Sequence, residues 1–371
     1  MNSSHDRIAV FLPSLRGGGA ERVMLNLAKG FHEKGVQTDM VLAQAEGPYL
    51  DDVPASISVV DLQAPRVRHA LRPLITYLKQ TKPVAVLSSM GHANIIALLA
   101  RQLSGASSRV VVTLHNTMSQ KMTAQSVGLR TFGPLFERIF YMWADAVVAV
   151  SHGVADDACL VTGFPRERMQ VIYNPVITDE LYRRADEEVT HPWLQPGQPP
   201  VLVSVGRLNR QKDYGHLIRT FAEVQRQMPA RLIILGEGEE RSMLEGMVAE
   251  LDLKDSVALP GFVPNPYAFM KRSAAFVLSS RWEGLPTVLI EALAIGVPVV
   301  ATDCPSGPYE ILKGGALGEL VPVGDVRGLA GAILRVLNGA LLPAKNRELD
   351  RFERDQAVLS YLQLLRGVSG E

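Results

Sequence analysis

The chain has 371 residues, 47% of them hydrophobic, and 38 Lys+Arg balance 38 Asp+Glu for a formal net charge of zero. That length suits two domains better than one core, and a neutral chain without a recognisable nucleic-acid module argues against a nucleic-acid partner. Cys159 and Cys304 are too few and too far apart for a disulfide framework or a zinc site, which points to a reducing, cytoplasmic setting.

In chain order, the polar start Met1 to Arg7 lacks a signal-peptide layout and runs into Ile8 to Leu12, an apolar stretch that reads as a strand. Gly17-Gly18-Gly19 follows, then Val23, Met24, Leu27, Ala28 and Phe31 recur at helical spacing over Ala20 to Lys34, with Gly35 placed to cap. Asp39 to Ala43, Val84 to Leu87, Val110 to Leu114 and Ala146 to Val150 read as further strands. Between them, residues 62–136 contain no Asp or Glu but nine cations. Among these, Arg66, Arg68 and Arg72 lie beside Leu71 and Leu74, and Lys121 and Arg130 open an aromatic-rich stretch that runs to Trp143. Residues 1–178 carry a formal charge of +4 and residues 179–371 one of −4. Such basic and apolar segments suit anionic lipid headgroups, or an acceptor, as well as a helix docked on its own domain. No apolar run approaches the length that spans a bilayer, so membrane association is expected to be peripheral.

Ala185 to Pro200 is proline-rich and reads as irregular chain. Beyond it, Val201–Val205, Leu232–Leu235, Ser256–Leu259, Ala275–Leu278, Val297–Ala301 and Gly318–Val321 read as strands separated by helical stretches. Alternation of this kind predicts an α/β fold, two Rossmann-like domains with parallel sheets facing across a cleft, covering 1–178 and 179–353. Arg354 to Leu365 carries an apolar stripe of Val358, Tyr361, Leu362 and Leu365.

Two segments of the second half carry chemistry. After Val205 come Gly206, Arg207, Leu208, Asn209, Arg210, Gln211, Lys212 and Asp213, ahead of a helix starting near Tyr214. Arg207 can grip phosphate oxygens bidentately and Lys212 adds a point charge, so together they can neutralise a diphosphate without a metal. Further on, Glu283 and Glu291 stand with seven residues between them. Pro286 suits the first turn of a helix, so Glu283 falls in the loop before it and Glu291 on it. The segment Gly284-Leu285-Pro286-Thr287 then presents helix N-terminal amides, where anionic groups bind well.

Gly206-Arg207-Leu208 with Lys212, then Leu235-Gly236-Glu237-Gly238, then the Glu283–Glu291 pair together resemble the retaining glycosyltransferases of family 4, which have the GT-B fold. Gly17 to Arg22 (G-G-G-A-E-R), Leu114-His115-Asn116, Val150-Ser151 and Asn174-Pro175-Val176 are similar too, so the likeness covers nearly the whole chain. It implies hexosyl transfer from a UDP-sugar, with no cofactor and no metal, and a helix after residue 353 that crosses back onto the first domain. It implies that Glu283 meets sugar hydroxyls, Glu291 the nucleotide ribose, and His115 the sugar from the first domain. Gly18 and Gly19 would let backbone approach the diphosphate; Gly206 and Gly236 would shape the donor site, and backbone near Phe262 and Val263 would line the base. Asp303 to Glu310 departs from the family's G-G-x-x-E pattern and looks like a bacterial subset using UDP-N-acetylhexosamines for lipid-linked oligosaccharide, lipopolysaccharide or capsule assembly. The alternatives are a catalytically impaired sugar-nucleotide-binding scaffold and a GT-B sugar-phosphate synthase.

Other classes fit poorly. The glycine loop has Arg22 where a dinucleotide fingerprint needs its third glycine, and Asp39 to Gln44 ends without a ribose-binding acid. Glu283 and Glu291 sit on one loop-helix unit, too close to flank a glycosidic bond as a hydrolase requires.

Overall fold

A computed structural model describes residues 6–123, 127–340 and 348–367, and the side chains of residues 121–133 lie outside the described set. The chain divides into two compact units, Met1–Val176 with Arg351–Glu371, and Ile177–Asp350.

The first unit holds seven strands: β1 (Arg7–Leu12), β2 (Gln37–Leu42), β3 (Ser58–Asp61), β4 (Ala85–Ser89), β5 (Arg109–Leu114), β6 (Ala146–Ala149) and β7 (Met169–Val171). They pair in parallel in the order β3-β2-β1-β4-β5-β6-β7. The five interior strands are where the sequence places them, shifted by one or two residues. The two edge strands escape a reading based on apolar runs. β7 has three residues, and Ser58, Val59 and Asp61 of β3 are exposed.

The second unit has β8 (Val201–Val205), β9 (Arg231–Leu235), β10 (Val257–Gly261), β11 (Ala275–Leu278), β12 (Val299–Asp303) and β13 (Glu319–Pro322), in the order β10-β9-β8-β11-β12-β13. All six were expected from the sequence. In sheets of this kind the strand order reverses once, and the loops at the carboxyl ends splay apart there into a ligand crevice. The reversal falls between β1 and β4 in the first unit and between β8 and β11 in the second. The loops leaving β8 and β11 are the two that carry Arg207, Lys212 and Glu283.

The last helix, Arg354–Arg366, belongs to the first unit, where Ala357, Val358, Tyr361, Leu362 and Leu365 join the core around β1. It packs on the helix Gly19–Glu33, and Gly30 makes the close approach possible. A Cβ at Gly30 would stand 2.3 Å from Val358 Cγ2. Alanine normally stabilises a helix interior relative to glycine by about 1 kcal/mol. Here overpacking against a β-branched neighbour should reverse the sign, and Gly30→Ala should lower stability to urea by about 1–3 kcal/mol. Adding Val358→Ala should make the Gly30→Ala step close to neutral. A stabilising Gly30→Ala in the wild-type background would contradict this packing.

Candidate active site

Lys212 sits at the end of the loop after β8, and Glu283 in the loop after β11. Lys212 Nζ lies 2.6 Å from Glu283 Oε1, with the side chains 16% and 7% exposed. Ser280 Oγ donates to the same oxygen at 2.6 Å, and Gln211 Nε2 donates to Oε2 at 3.3 Å. Three donors therefore fix one carboxylate that has left water, which is what a buried charge requires. The two loops are laced together on either side. Arg281 N donates to Gln211 O at 2.8 Å, Ser279 Oγ to Lys212 O at 2.7 Å, and Gln211 Nε2 to Trp282 O at 3.0 Å. Arg281 pairs bidentately with Asp213, at 2.7 and 3.1 Å, and this contact raises the arginine's pKa. Asp213 itself adopts φ +49° at the start of the helix Tyr214–Gln225, a conformation that aspartate tolerates better than most residues.

Arg207 is held differently. Its neighbour Leu208 is fully buried, and Leu208 N donates to Glu237 O while Glu240 N donates to Leu208 O, so backbone alone fixes the loop. The chain can pass so close only because Gly236 lacks a side chain. A Cβ there would fall 2.0 Å from Gly206 O, and φ is +145°. The Arg207 side chain is exposed and makes no ion pair or hydrogen bond among the described residues. In the β8 loop, then, Lys212 is neutralised within the protein, while Arg207 is an uncommitted guanidinium.

The helix after Glu283 spans Thr287–Ala294, with Pro286 as its N-cap and not within its first turn as expected. The reason is the neighbouring loop. Ser306 Oγ donates to Gly284 O at 2.8 Å, Glu283 N donates to Pro305 O, and Gly307, at φ +92°, lies so close that a Cβ would reach 2.5 Å from Pro286 Cδ. Residues 283–286 lie against that loop outside the helix, with Pro286 extended at ψ 99°, and the helix starts at Thr287. Leu285 is buried, and Glu291 is 7% exposed on the helix. Phe262, directly after β10, has 55% of its surface exposed, with Val263 half-buried beside it.

Cys304, in the same wrapping loop, is 3% exposed. Burial, reinforced by the Glu283 charge, pushes its thiol far above the ordinary range, so at neutral pH it is an inert thiol and no nucleophile. Ser280, Gln211, Asp213 and Arg281 were not singled out from the sequence. Gln211, Asp213 and Arg281 pair with residues 68 to 72 positions away, while Ser280 is three residues from Glu283.

The remaining expected residues belong to the first unit. Gly18 and Gly19 begin the helix Gly19–Glu33 after β1, but Gly17 N and Gly18 N donate to Glu21 Oε2 at 2.7 and 2.9 Å. The sequence reading left the amides of this loop for a donor diphosphate. Two of them are occupied by the loop's own carboxylate in a capping arrangement. His115 follows β5, half-buried, with Nε2 3.1 Å from Thr113 Oγ1.

Arg66, Arg68 and Arg72 are exposed and form no ion pair among the described residues. Their expected apolar companions point inward, since Leu74 is fully buried and Leu71 half-buried, so this stretch is a basic surface and not an amphipathic one. Lys121 and Arg130 lie outside the residues whose side chains are described. The helix Val127–Tyr141 does expose Leu135, Phe136 and Ile139, and Met142 and Trp143 directly after it are exposed too, each at least 37% accessible. Tyr141 turns into the core. No described helix is long and apolar enough to cross a membrane.

Comparison with known proteins is consistent along the chain. Residues 17–180 match the model for Glycosyltransferase Family 4, and residues 186–352 match that for Glycosyl transferases group 1. The chain is 35% identical over 179 residues to an uncharacterized glycosyltransferase of Methanocaldococcus jannaschii, a match spanning 47% of this chain and 44% of that protein. It is 28% identical over 330 residues to the N-acetylgalactosamine-N,N'-diacetylbacillosaminyl-diphospho-undecaprenol 4-alpha-N-acetylgalactosaminyltransferase of Campylobacter jejuni, covering 85% of this chain and 86% of that one. The crystal structure of Anabaena HepE in complex with UDP and glucose superposes with a TM-score of 0.80 at 20% identity, covering 98% of this chain and all of that one, and so shares the fold. With its two matched domains and two parallel-sheet units, the chain belongs to the family 4 glycosyltransferases of GT-B fold and is a hexosyltransferase.

Proposed function

We propose that this glycosyltransferase moves a sugar, an N-acetylhexosamine, from a UDP-sugar to a lipid-linked or polysaccharide-precursor acceptor at the cytoplasmic membrane face, with retention of anomeric configuration. The observation that carries the reading is the loop pair at the switch point of the second unit, where Arg207, without an ion pair or hydrogen bond among the described residues, stands on the loop whose Lys212 is paired to Glu283. In this reading the donor diphosphate is gripped by Arg207 and takes hydrogen bonds from Lys212. As the anomeric C–O bond breaks, negative charge grows on the leaving phosphate, and cations already in place stabilise it more than they stabilise the bound donor. Glu283 has its Oε1 taken up by Lys212 and Ser280, so Oε2 is the oxygen with capacity left for a sugar hydroxyl. Glu291 takes the ribose, the chain at Gly284 to Thr287 and at Phe262 and Val263 lines the nucleotide, and His115 meets the sugar. No enzymic nucleophile is required, and attack from the leaving-group face accounts for retention. The acceptor class is supported by the diphospho-undecaprenol in the name of the Campylobacter relative, and the UDP donor by the UDP in the HepE complex.

The membrane reading rests on the three exposed arginines without acidic partners and on the apolar surface of the helix Val127–Tyr141, both in the first unit.

Arg207→Ala should lower kcat/KM for the donor by about 100-fold or more, the scale of losing one charge-stabilising donor, with stability unchanged because the side chain has no partner to lose. Lys212→Met should lower the rate as much and also destabilise the protein by about 3 kcal/mol, since it strands the buried Glu283 carboxylate. If both variants lost activity only by unfolding, or neither lost it, the diphosphate would lie elsewhere. Transfer should persist in excess EDTA; complete loss restored by magnesium would overturn the metal-free reading. On vesicles, the protein should co-sediment with anionic but not zwitterionic lipid at low salt. Each cation near the surface contributes ~1 kcal/mol, screened within about a Debye length. Reversing Arg66, Arg68 and Arg72 to Glu should abolish that binding while donor hydrolysis is retained. Equal absence of binding to both vesicle types would remove the membrane assignment and leave the transferase intact.

A further inference from the structure

One side chain, that of Gln211, ties the loop after β8 to the loop after β11. Its Nε2 lies 3.0 Å from Trp282 O and 3.3 Å from Glu283 Oε2. The backbone beneath it is fixed as well. Arg281 N donates to Gln211 O at 2.8 Å, and Ser279 Oγ donates to the next carbonyl, Lys212 O, at 2.7 Å. Gln211 is half-buried, beside the buried Glu283.

A side-chain amide carries two hydrogens on nitrogen and none on oxygen. Both neighbours of Nε2 are oxygens that accept, one a backbone carbonyl and the other a carboxylate. Turning the amide over would set its own oxygen against those two with no hydrogen between them, which is a costly mismatch. The partners therefore fix the orientation, and both N–H groups are used. Oε1 stands at the other end of the amide and meets no donor among the described residues. Glu283 Oε2, touched by the same amide, has capacity for a further donor. Two hydrogen-bond acceptors thus stand next to each other, and neither has a hydrogen to give.

We propose that Gln211 is a specificity-determining residue for the donor, its Oε1 taking a hydrogen from the sugar hydroxyl beside the one that Glu283 Oε2 holds. The inference rests on the reading of Glu283 as a sugar contact. A site built to receive a hydroxyl hydrogen rejects an analogue that lacks it, because the acceptor is then left unpaired.

A mere brace for Glu283 needs only the two N–H bonds and leaves Oε1 idle. Transfer kinetics separate the two roles. The parent donor is whichever of UDP-N-acetylglucosamine, UDP-N-acetylgalactosamine, UDP-glucose and UDP-galactose is turned over fastest. The probes are its analogues with fluorine replacing a single hydroxyl at C3, C4 or C6, since fluorine brings no hydrogen. Gln211→Met should lower kcat/KM for the parent donor by about tenfold or more, and for one fluorinated donor by no more than about twofold, because that donor never made the bond. Binding of UDP alone, which has no sugar, should be unchanged. An equal loss across all donors, or weakened binding of UDP, makes Gln211 a brace and overturns the proposal. So does a Gln211→Met enzyme as fast as wild type. Gln211→Ala runs the same comparison should the methionine variant fail to fold. If Glu283→Ala transferred sugar at the full rate, the reading of Glu283 would fail, while the fluorinated donors would still show whether Gln211 touches the sugar.

Discussion

A buried ion pair between residues 71 positions apart organises the second unit of this enzyme. Lys212 and Glu283 come from loops on either side of the point where the second sheet reverses its strand order, and their contact sets how far those loops can separate. Neither charge could leave water alone. With Ser280 and Gln211 completing the shell, the pair is tolerated, and breaking it from one side would leave an uncompensated charge. The backbone lacing at Gln211 and Lys212 repeats the same constraint, as does the Arg281–Asp213 pair, which is weakened by the solvent around Arg281. What results is a rigid frame assembled before any ligand arrives, the condition under which electrostatic stabilisation is most effective.

Within that frame the division of charge is uneven. Lys212 is balanced by Glu283 and Arg281 by Asp213, so the frame itself is close to neutral. Arg207, like Arg210 in the same loop, makes no ion pair or hydrogen bond among the described residues, and it sits on backbone fixed by Leu208 and by the close pass of Gly236 beneath it. A diphosphate would meet a preformed, nearly neutral floor with the committed Lys212 and the available Arg207. The wrapping loop from Asp303 to Gly307, where the chain departs from its family's usual sequence, presses on Glu283 and Pro286 directly. It is where differences in sugar preference have a physical route to the carboxylate.

Much of this was legible in the sequence because its signals are local. Interior strands announce themselves as apolar runs, and the glycine turn, cations and paired glutamates stand at spacings that place them on loops after strands. What stayed hidden depends on distance. The edge strands β3 and β7 lack apolar runs because an edge is partly solvated. Leu74 reads as half of an amphipathic surface until the fold turns it inward and leaves Arg66, Arg68 and Arg72 outside. Gln211 is an ordinary residue until Glu283, 72 positions away, is brought beside it. Glu21 was legible in principle. An acid three residues after Gly18 at a helix start is a capping signal, and Glu21 takes the Gly17 and Gly18 amides.

The most direct test of the account is a crystal structure of the unmodified enzyme with UDP bound. The account predicts diphosphate oxygens within hydrogen-bond distance of both the Arg207 guanidinium and Lys212 Nζ, with Glu283 still held by Ser280. A diphosphate seated away from the loops after β8 and β11, with Arg207 facing solvent and the Lys212–Glu283 pair untouched, would contradict it.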